Sequence, residues 1–177
     1  QALTAEFAAV PSVSVGNDAD LGAIAEFTRG VGAHCRNLMY VSGEVGIGGG
    51  VIIDGRIMSG AGGYGGEVGH MVVNPSGVLC RCGATGCWET EIGRDAVVRA
   101  AGLGGEQVEV ADVIAAASSG NRAAQAAVDE VGIWLGIGLT NLVNLFNPEV
   151  VVLGGHLRLL LPLVSGAVFR QLHFALP

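Results

Sequence analysis

The chain has no lysine: all nine of its basic residues are arginines, set against 16 acidic ones, for a formal charge of -7. A sequence this short of positive charge, with a pI near 4.9, has no electrostatic footprint for a phosphate backbone. DNA and RNA are thereby excluded as direct partners of this stretch. Long apolar runs are also missing. The longest tract, Val131 to Val143, falls short of a membrane span and follows Asp129 and Glu130, so it reads as a buried core helix and no membrane is expected. There is no internal repeat, no low-complexity linker and no long run of like charge. Cysteine is scarce too, at four residues, and Cys80 and Cys82 lie too close for a relaxed disulfide. A reducing, cytoplasmic setting is the expectation. What remains is a chain that is 50% hydrophobic, enough to bury one sizeable core or one domain with part of another.

Three of the four cysteines and one of the four histidines fall in a single segment. Gly66-Glu67-Val68-Gly69-His70 is followed by Cys80-Arg81-Cys82-Gly83-Ala84-Thr85-Gly86-Cys87-Trp88-Glu89. Three thiolates and an imidazole make a closed tetrahedral set for zinc. Cys80 and Cys82 sit one residue apart and a glycine-rich bend precedes Cys87, so three sulfurs can converge from one knuckle, with His70 arriving from a preceding strand. The plainer alternative is three buried structural cysteines. Cys35 lies outside the group and reads as a small buried residue.

The order of elements is that of an α/β domain. Asn17-Asp18-Ala19-Asp20 precedes an apolar rhythm at Leu21, Ile24, Phe27 and Val31, the pattern of a capped amphipathic helix. Leu38 to Val41 and Val51 to Ile53 read as strands, and Asp54-Gly55 before Ile57 is a two-residue hairpin signal, because a type I′ turn needs positive φ at both positions. Met71 to Val73 reads as a further short strand ending at Asn74-Pro75. Beyond Arg94 the chain turns helical, with one helix near Val110 to Ala117 and a long one over Arg122 to Phe146. In the long one Val128, Val131, Leu135, Leu139, Leu142 and Phe146 recur at helical spacing, and Asn147-Pro148 ends it. Val150 to Leu153 reads as a buried strand closed by Gly154-Gly155, and Leu159 to Leu172 is helix-like. Helix, buried strand and glycine turn place a ligand crevice at the strand's carboxyl end.

Glu67-x-x-His70 with Cys80-x-Cys82-Gly83-x-x-Gly86-Cys87-x-Glu89 resembles the signature of the ROK family, bacterial sugar kinases and sugar-responsive transcriptional repressors. The resemblance runs from about Val15 to Gly155. It takes in Asn17-Asp18, the Gly46-Ile47-Gly48-Gly49-Gly50 loop, the Asp54-Gly55 hairpin and Val151-Val152-Leu153-Gly154-Gly155. It implies an actin-like, ribonuclease-H-like ATPase fold with two domains flanking a sugar cleft. By matching position it implies His70, Cys80, Cys82 and Cys87 as zinc ligands, and Asn17, Asp18, Glu67, His70 and Glu89 as sugar contacts. Carboxylates, an amide and an imidazole suit a pyranose, whose hydroxyls each donate and accept. The implied zinc is structural, with no open position for water. Singly, each residue has a duller reading: Asn17-Asp18 as a helix cap, Glu67 as a solvated carboxylate, Glu89 as a cap, His70 as a core histidine.

In kinases of the family Asp18 would be the general base for phosphoryl transfer from ATP, with Mg2+, and Gly-Thr would precede the Gly-Ile-Gly-Gly-Gly run. Here those positions are Glu44 and Val45. A carboxylate repels a triphosphate and valine has no hydroxyl, so both changes oppose catalysis. The sequence therefore reads as the sugar-binding effector part of a regulator, without a catalytic residue, and a glucokinase-like sugar kinase is the alternative. A zinc-stabilised interaction domain without a small ligand is a third reading. Residues 1–177 are expected to be a partial ROK domain of a longer protein, with a winged helix-turn-helix region and the first phosphate loop outside it. The implied partners are a small sugar, DNA only through that outside region, and further copies of the chain in a homo-oligomer.

Overall fold

The computed structural model describes residues 15–104 and 107–172. Its centre is a four-stranded sheet of β1 (Leu38–Gly43), β2 (Ile47–Ile53), β3 (Arg56–Ile57) and β4 (Val150–Gly155), in the order β3-β2-β1-β4. β1 and β2 are antiparallel, with Leu38 opposite Ile52, whereas β4 lies parallel to β1, with Leu38 opposite Val150. The parallel return uses a helical crossover, as it must: α2 (Trp88–Ile92), α3 (Arg94–Ala100), α4 (Val110–Ser118) and α5 (Arg122–Phe146) all lie between β3 and β4. The Asp54-Gly55 turn forms as predicted, with φ of 48° and 76°.

On one face of the sheet lies α1 (Asp18–Arg29), and here the sequence pattern misleads. The apolar rhythm predicts Leu21, Ile24 and Val31 in the core, yet they are 54%, 39% and 69% exposed, while Ala19 and Ala23 are buried. Backbone proximity decides the outcome. A Cβ on Gly50 would sit 2.5 Å from the Ala19 carbonyl oxygen and 2.6 Å from the Ala23 Cβ, so helix and strand meet through their smallest residues. The Gly46-to-Gly50 run, read as a loop, is accordingly mostly strand β2, its glycines removing side chains where α1 lies down.

The other face carries the main core. α5 presents Val128, Val131, Leu135, Leu139 and Leu142 inward as its spacing predicts, and Asn147 ends it in the left-handed conformation at φ 43°. Phe146 is only half-buried. Although α5 is long and apolar enough to cross a membrane, half of its most apolar window is buried against the rest of the protein. α6 (His156–Leu172) packs along it, with Gly132 of α5 accepting Val164. Three further expectations need correction. Met71 to Val73 is not a strand: Val72 makes one isolated bridge to Cys87, and the partner segment turns into α2 at Trp88 before a second rung can form. Val150 to Leu153 is half-buried, because β4 borders the sheet with a neighbour on one side only. Cys35 is half-buried as well.

Candidate functional site

A cleft of about 220 Å3 opens at the carboxyl end of β1, and Asp18, Glu67, His70 and Glu89 line it. Each arrives by a different route. Asp18 begins α1 under a cap supplied by Asn17, whose side-chain oxygen accepts from the N–H groups of Ala19 at 2.9 Å and Asp20 at 3.3 Å. That cap satisfies two of the donors a helix start leaves open. Asn17 itself is not among the lining residues, so among the described residues its geometry is that of the duller reading.

Glu67 and His70 are set by glycine. A Cβ on Gly66 would lie 2.5 Å from the Gly49 carbonyl oxygen, and one on Gly69 would lie 2.1 Å from that of Ile47. The segment therefore lies flat on β2, with Val68 buried beneath it and Glu67 and His70 exposed above. His70 closes a one-turn 3-10 helix, Val68–His70, rather than emerging from a strand. Burying Val68 while the two glycines approach the strand backbone requires this tight turn.

Glu89 follows the cysteine knuckle. Gly86 holds a φ of 73° where a Cβ would strike the Asn74 carbonyl oxygen, and its own carbonyl accepts from the N–H groups of Val73 and Asn74. Cys87 and Trp88 then enter the core. The Trp88 ring is fully buried against α5 at Gly138, whose missing side chain makes room for it, and its Nε1 donates to the Trp134 carbonyl at 2.9 Å. Glu89, one residue on, is 12% exposed, 3.7 Å from the Arg81 Nε, and accepts from the Cys80 thiol at 3.1 Å.

His70, Cys80, Cys82 and Cys87 each bring a ligand atom to within 4.8 Å of the others. Cys82 and Cys87 Sγ are 3.5 Å apart, and Cys80 Sγ is 3.7 Å from His70 Nδ1. Tetrahedral ligation with metal–sulfur bonds of about 2.3 Å sets sulfurs about 3.8 Å apart, so a set whose members all lie within 4.8 Å of one another could close on a metal ion with small side-chain shifts. The acid–base behaviour agrees. Burial first, then the neighbouring Cys82 and Cys80, pushes the Cys87 thiol up to about 12. Cys82 is shifted down, mainly by the N–H of Ala84. At Cys80 the Cys82 N–H pulls down, but burial and the bond to Glu89 together leave it raised. The buried Cys80 and Cys87 thiols thus resist ionisation without a cation, and a bound metal would offset that cost. With Nδ1 turned to Cys80, the His70 Nε2 is the nitrogen left for the cleft.

The remaining lining comes from the β1–β2 turn, with Ser42, Glu44 and Val45. Glu44 and Val45, the two residues that depart from the kinase pattern, are both exposed and are among the residues that line the cleft. Two further titratable groups lie nearby: Asp20, which the sequence places only in the helix start, and His156, which sequence reasoning missed. Asp20 is raised by burial and then by the charge of Glu67, and its Oδ1 is buried without a partner. His156, at the start of α6, is lowered by burial, and its Nε2 lies 3.0 Å from the Ile92 carbonyl oxygen. Neither lines the cleft: Asp20 lies two residues from Asp18 on α1, and His156 is brought near only by β4, which pairs with β1.

A half-sheet ordered β3-β2-β1-β4, a glycine-floored cleft and a four-ligand knuckle beside it together define an actin-like sugar-kinase fold. The family model described as ROK family matches residues 4–173, and the chain belongs to that family. It is 36% identical over 141 residues to the xylose repressor of Bacillus spizizenii, covering 80% of this chain and 37% of that protein. It is also 34% identical over 159 residues to the glucokinase of Halalkalibacterium halodurans, covering 81% and 48%. The ROK hexokinase from Thermus thermophilus matches in structure with a TM-score of 0.81 at 34% identity, over 90% of this chain and 56% of that one. The chain thus spans less than half the length of these two curated relatives. Repressors and sugar kinases both stand among its relatives, and the sugar-related role common to them is the role of the family.

Proposed function

We propose that this chain is the sugar-binding effector part of a cytoplasmic ROK transcriptional repressor, stabilised by zinc in the knuckle. The observation that carries the reading is the β1–β2 turn: Glu44 and Val45 line the same cleft as Asp18, Glu67, His70 and Glu89. A cleft with four carboxylates and no lysine welcomes hydroxyls and repels phosphate. Asn17, as the cap of α1, sits one residue from Asp18 and completes the proposed sugar contacts. His70 serves both sets, with Nδ1 to the metal and Nε2 to a hydroxyl. Zinc suits a borderline-soft set of one imidazole and three thiolates, and four protein donors leave no position for a catalytic water. DNA binding would lie in a region outside this chain, and homo-oligomers would carry the response: sugar shifts an equilibrium between two arrangements that differ in DNA affinity.

The glucokinase relative and the position of Asp18 in the cleft favour a second reading, an ATP- and Mg2+-dependent sugar kinase with Asp18 as general base. One experiment separates the two. Thermal melting of the chain with xylose, glucose or N-acetylglucosamine is expected to show stabilisation by at least one sugar, lost in Glu67→Gln. Incubation with ATP, Mg2+ and the same sugars is expected to give no sugar phosphate. Turnover that disappears in Asp18→Asn would overturn the repressor reading, and no stabilisation by any of them would favour an interaction domain without a small ligand.

A further inference from the structure

A second cavity, of about 230 Å3, lies directly behind Glu89 and shares Val45, Gly46 and Glu89 with the cleft. The two are nearly equal in volume. Each alone is below the roughly 300–1,000 Å3 of ordinary small-molecule sites, whereas joined they fall within it. Gly46 and Glu89 form the wall between them, packed so closely that a Cβ on Gly46 would lie 2.9 Å from Glu89 Oε2 and 3.4 Å from the Arg81 guanidinium; both cavities open to solvent, so a ligand joining them would pass over this wall.

The walls of the second cavity are chemically mixed. The knuckle contributes Val78, Leu79 and Arg81, and the α2–α3 helices contribute Thr90, Asp95 and Arg99. Val78 and Val45 are 49% and 73% exposed, so apolar surface faces the space from two sides. Arg81 is paired with Glu89 at 3.7 Å, and Arg99 donates to the Thr90 carbonyl at 3.1 Å. Two guanidiniums are thus offset by two carboxylates, Glu89 and Asp95. An anionic group entering here gains no net charge and meets both carboxylates. A neutral hydroxylated ring fares better: guanidiniums hold donors beyond the one each has engaged, carboxylates accept from hydroxyls, and the valines take the C–H face.

The geometry points to a ligand of two linked neutral sugar units, a disaccharide or glycoside, with one unit in the cleft and the other in the cavity beyond Glu89. The inference rests on the sugar reading of the cleft and extends it to the size and charge of the ligand. Linking the units gives the second one a high effective concentration once the first is bound, so the gain appears as affinity for the longer ligand.

Calorimetric titration of the full chain tests this, with xylose and glucose against xylobiose, cellobiose and maltose. At least one disaccharide is expected to bind about tenfold or more tightly than its monosaccharide. Val78→Trp, which fills the second cavity from an exposed position, and Arg99→Ala are each expected to bring that advantage to about threefold or less, leaving monosaccharide affinity within about twofold. The two variants sit on different elements, so the test survives if one fails to fold. Monosaccharide binding with no tighter disaccharide, or variants that weaken both lengths alike, would overturn the extended site and leave the sugar reading standing. Binding of neither length would overturn both.

Discussion

On one wall of the cleft Asp18 is carried by a helix that is nearly complete in itself: Asn17 caps it, and Ala19 and Ala23 seat it on the glycines of β2. On the other wall Glu67, His70 and Glu89 depend on a segment with almost no regular structure. That segment is held by glycines against β2, by Trp88 in the core, and by four ligands converging from residues 70 to 87. The first wall starts from a local cap and needs only one further contact, the seating of Ala19 and Ala23 on β2. The second exists only when distant groups are assembled, among them four residues that could hold a metal ion.

Removing the metal proposed at the knuckle should therefore have the largest effect and fall on one wall alone. Cys87→Ser, or exhaustive chelation, is expected to reduce zinc from about one equivalent to below half an equivalent. A loss of several kcal/mol should lower the melting temperature by more than about 10 °C, with sugar stabilisation abolished, while helical circular dichroism is largely kept. Next comes the core anchor. Trp88→Ala should cost about 3–5 kcal/mol, or roughly 6–20 °C, and loosen metal binding, since Cys87 and Glu89 flank the ring. The smallest effect belongs to the other wall. Asn17→Ala removes a cap worth about 1 kcal/mol and should lower melting by about 2–4 °C with zinc content unchanged. If Cys87→Ser and Asn17→Ala destabilised the protein equally, the contrast between the walls would fail. A loss of zinc in Asn17→Ala would show instead that the walls fold as one unit.

Much of this was legible in the sequence. The knuckle ligands came together as their spacing suggested, because three lie within a single bend whose glycines take the required conformations, Gly83 at φ 96° and Gly86 at 73°. The long helix buried the stripe its periodicity marked, since 25 residues average out local accidents. The first helix did not. Periodicity identifies an apolar side but is blind to how close a neighbouring backbone can approach, and β2 offers glycine, which favours Ala19 and Ala23 over Leu21 and Ile24. The same blindness made a loop of the Gly46-to-Gly50 run. His70 lies beside the three cysteines as its position in the motif suggested, but on a different element, because the constraint that curls Val68–His70 is contact with β2 roughly 60–75 Å of extended chain away, not a local propensity.

The sequence by itself determined which chemistry is present: a soft four-ligand set, a run of carboxylates without lysine, and Glu44-Val45 where a phosphate-binding turn would differ. These are properties of residue type and short spacing, and no fold is needed to read them. Only the tertiary structure decided that the carboxylates share one cleft, that Glu44 and Val45 face it, and that a second cavity of matching size opens behind Glu89. Those facts depend on where glycine lets backbones touch and where a buried tryptophan pulls the chain inward, distances that sequence separation does not encode.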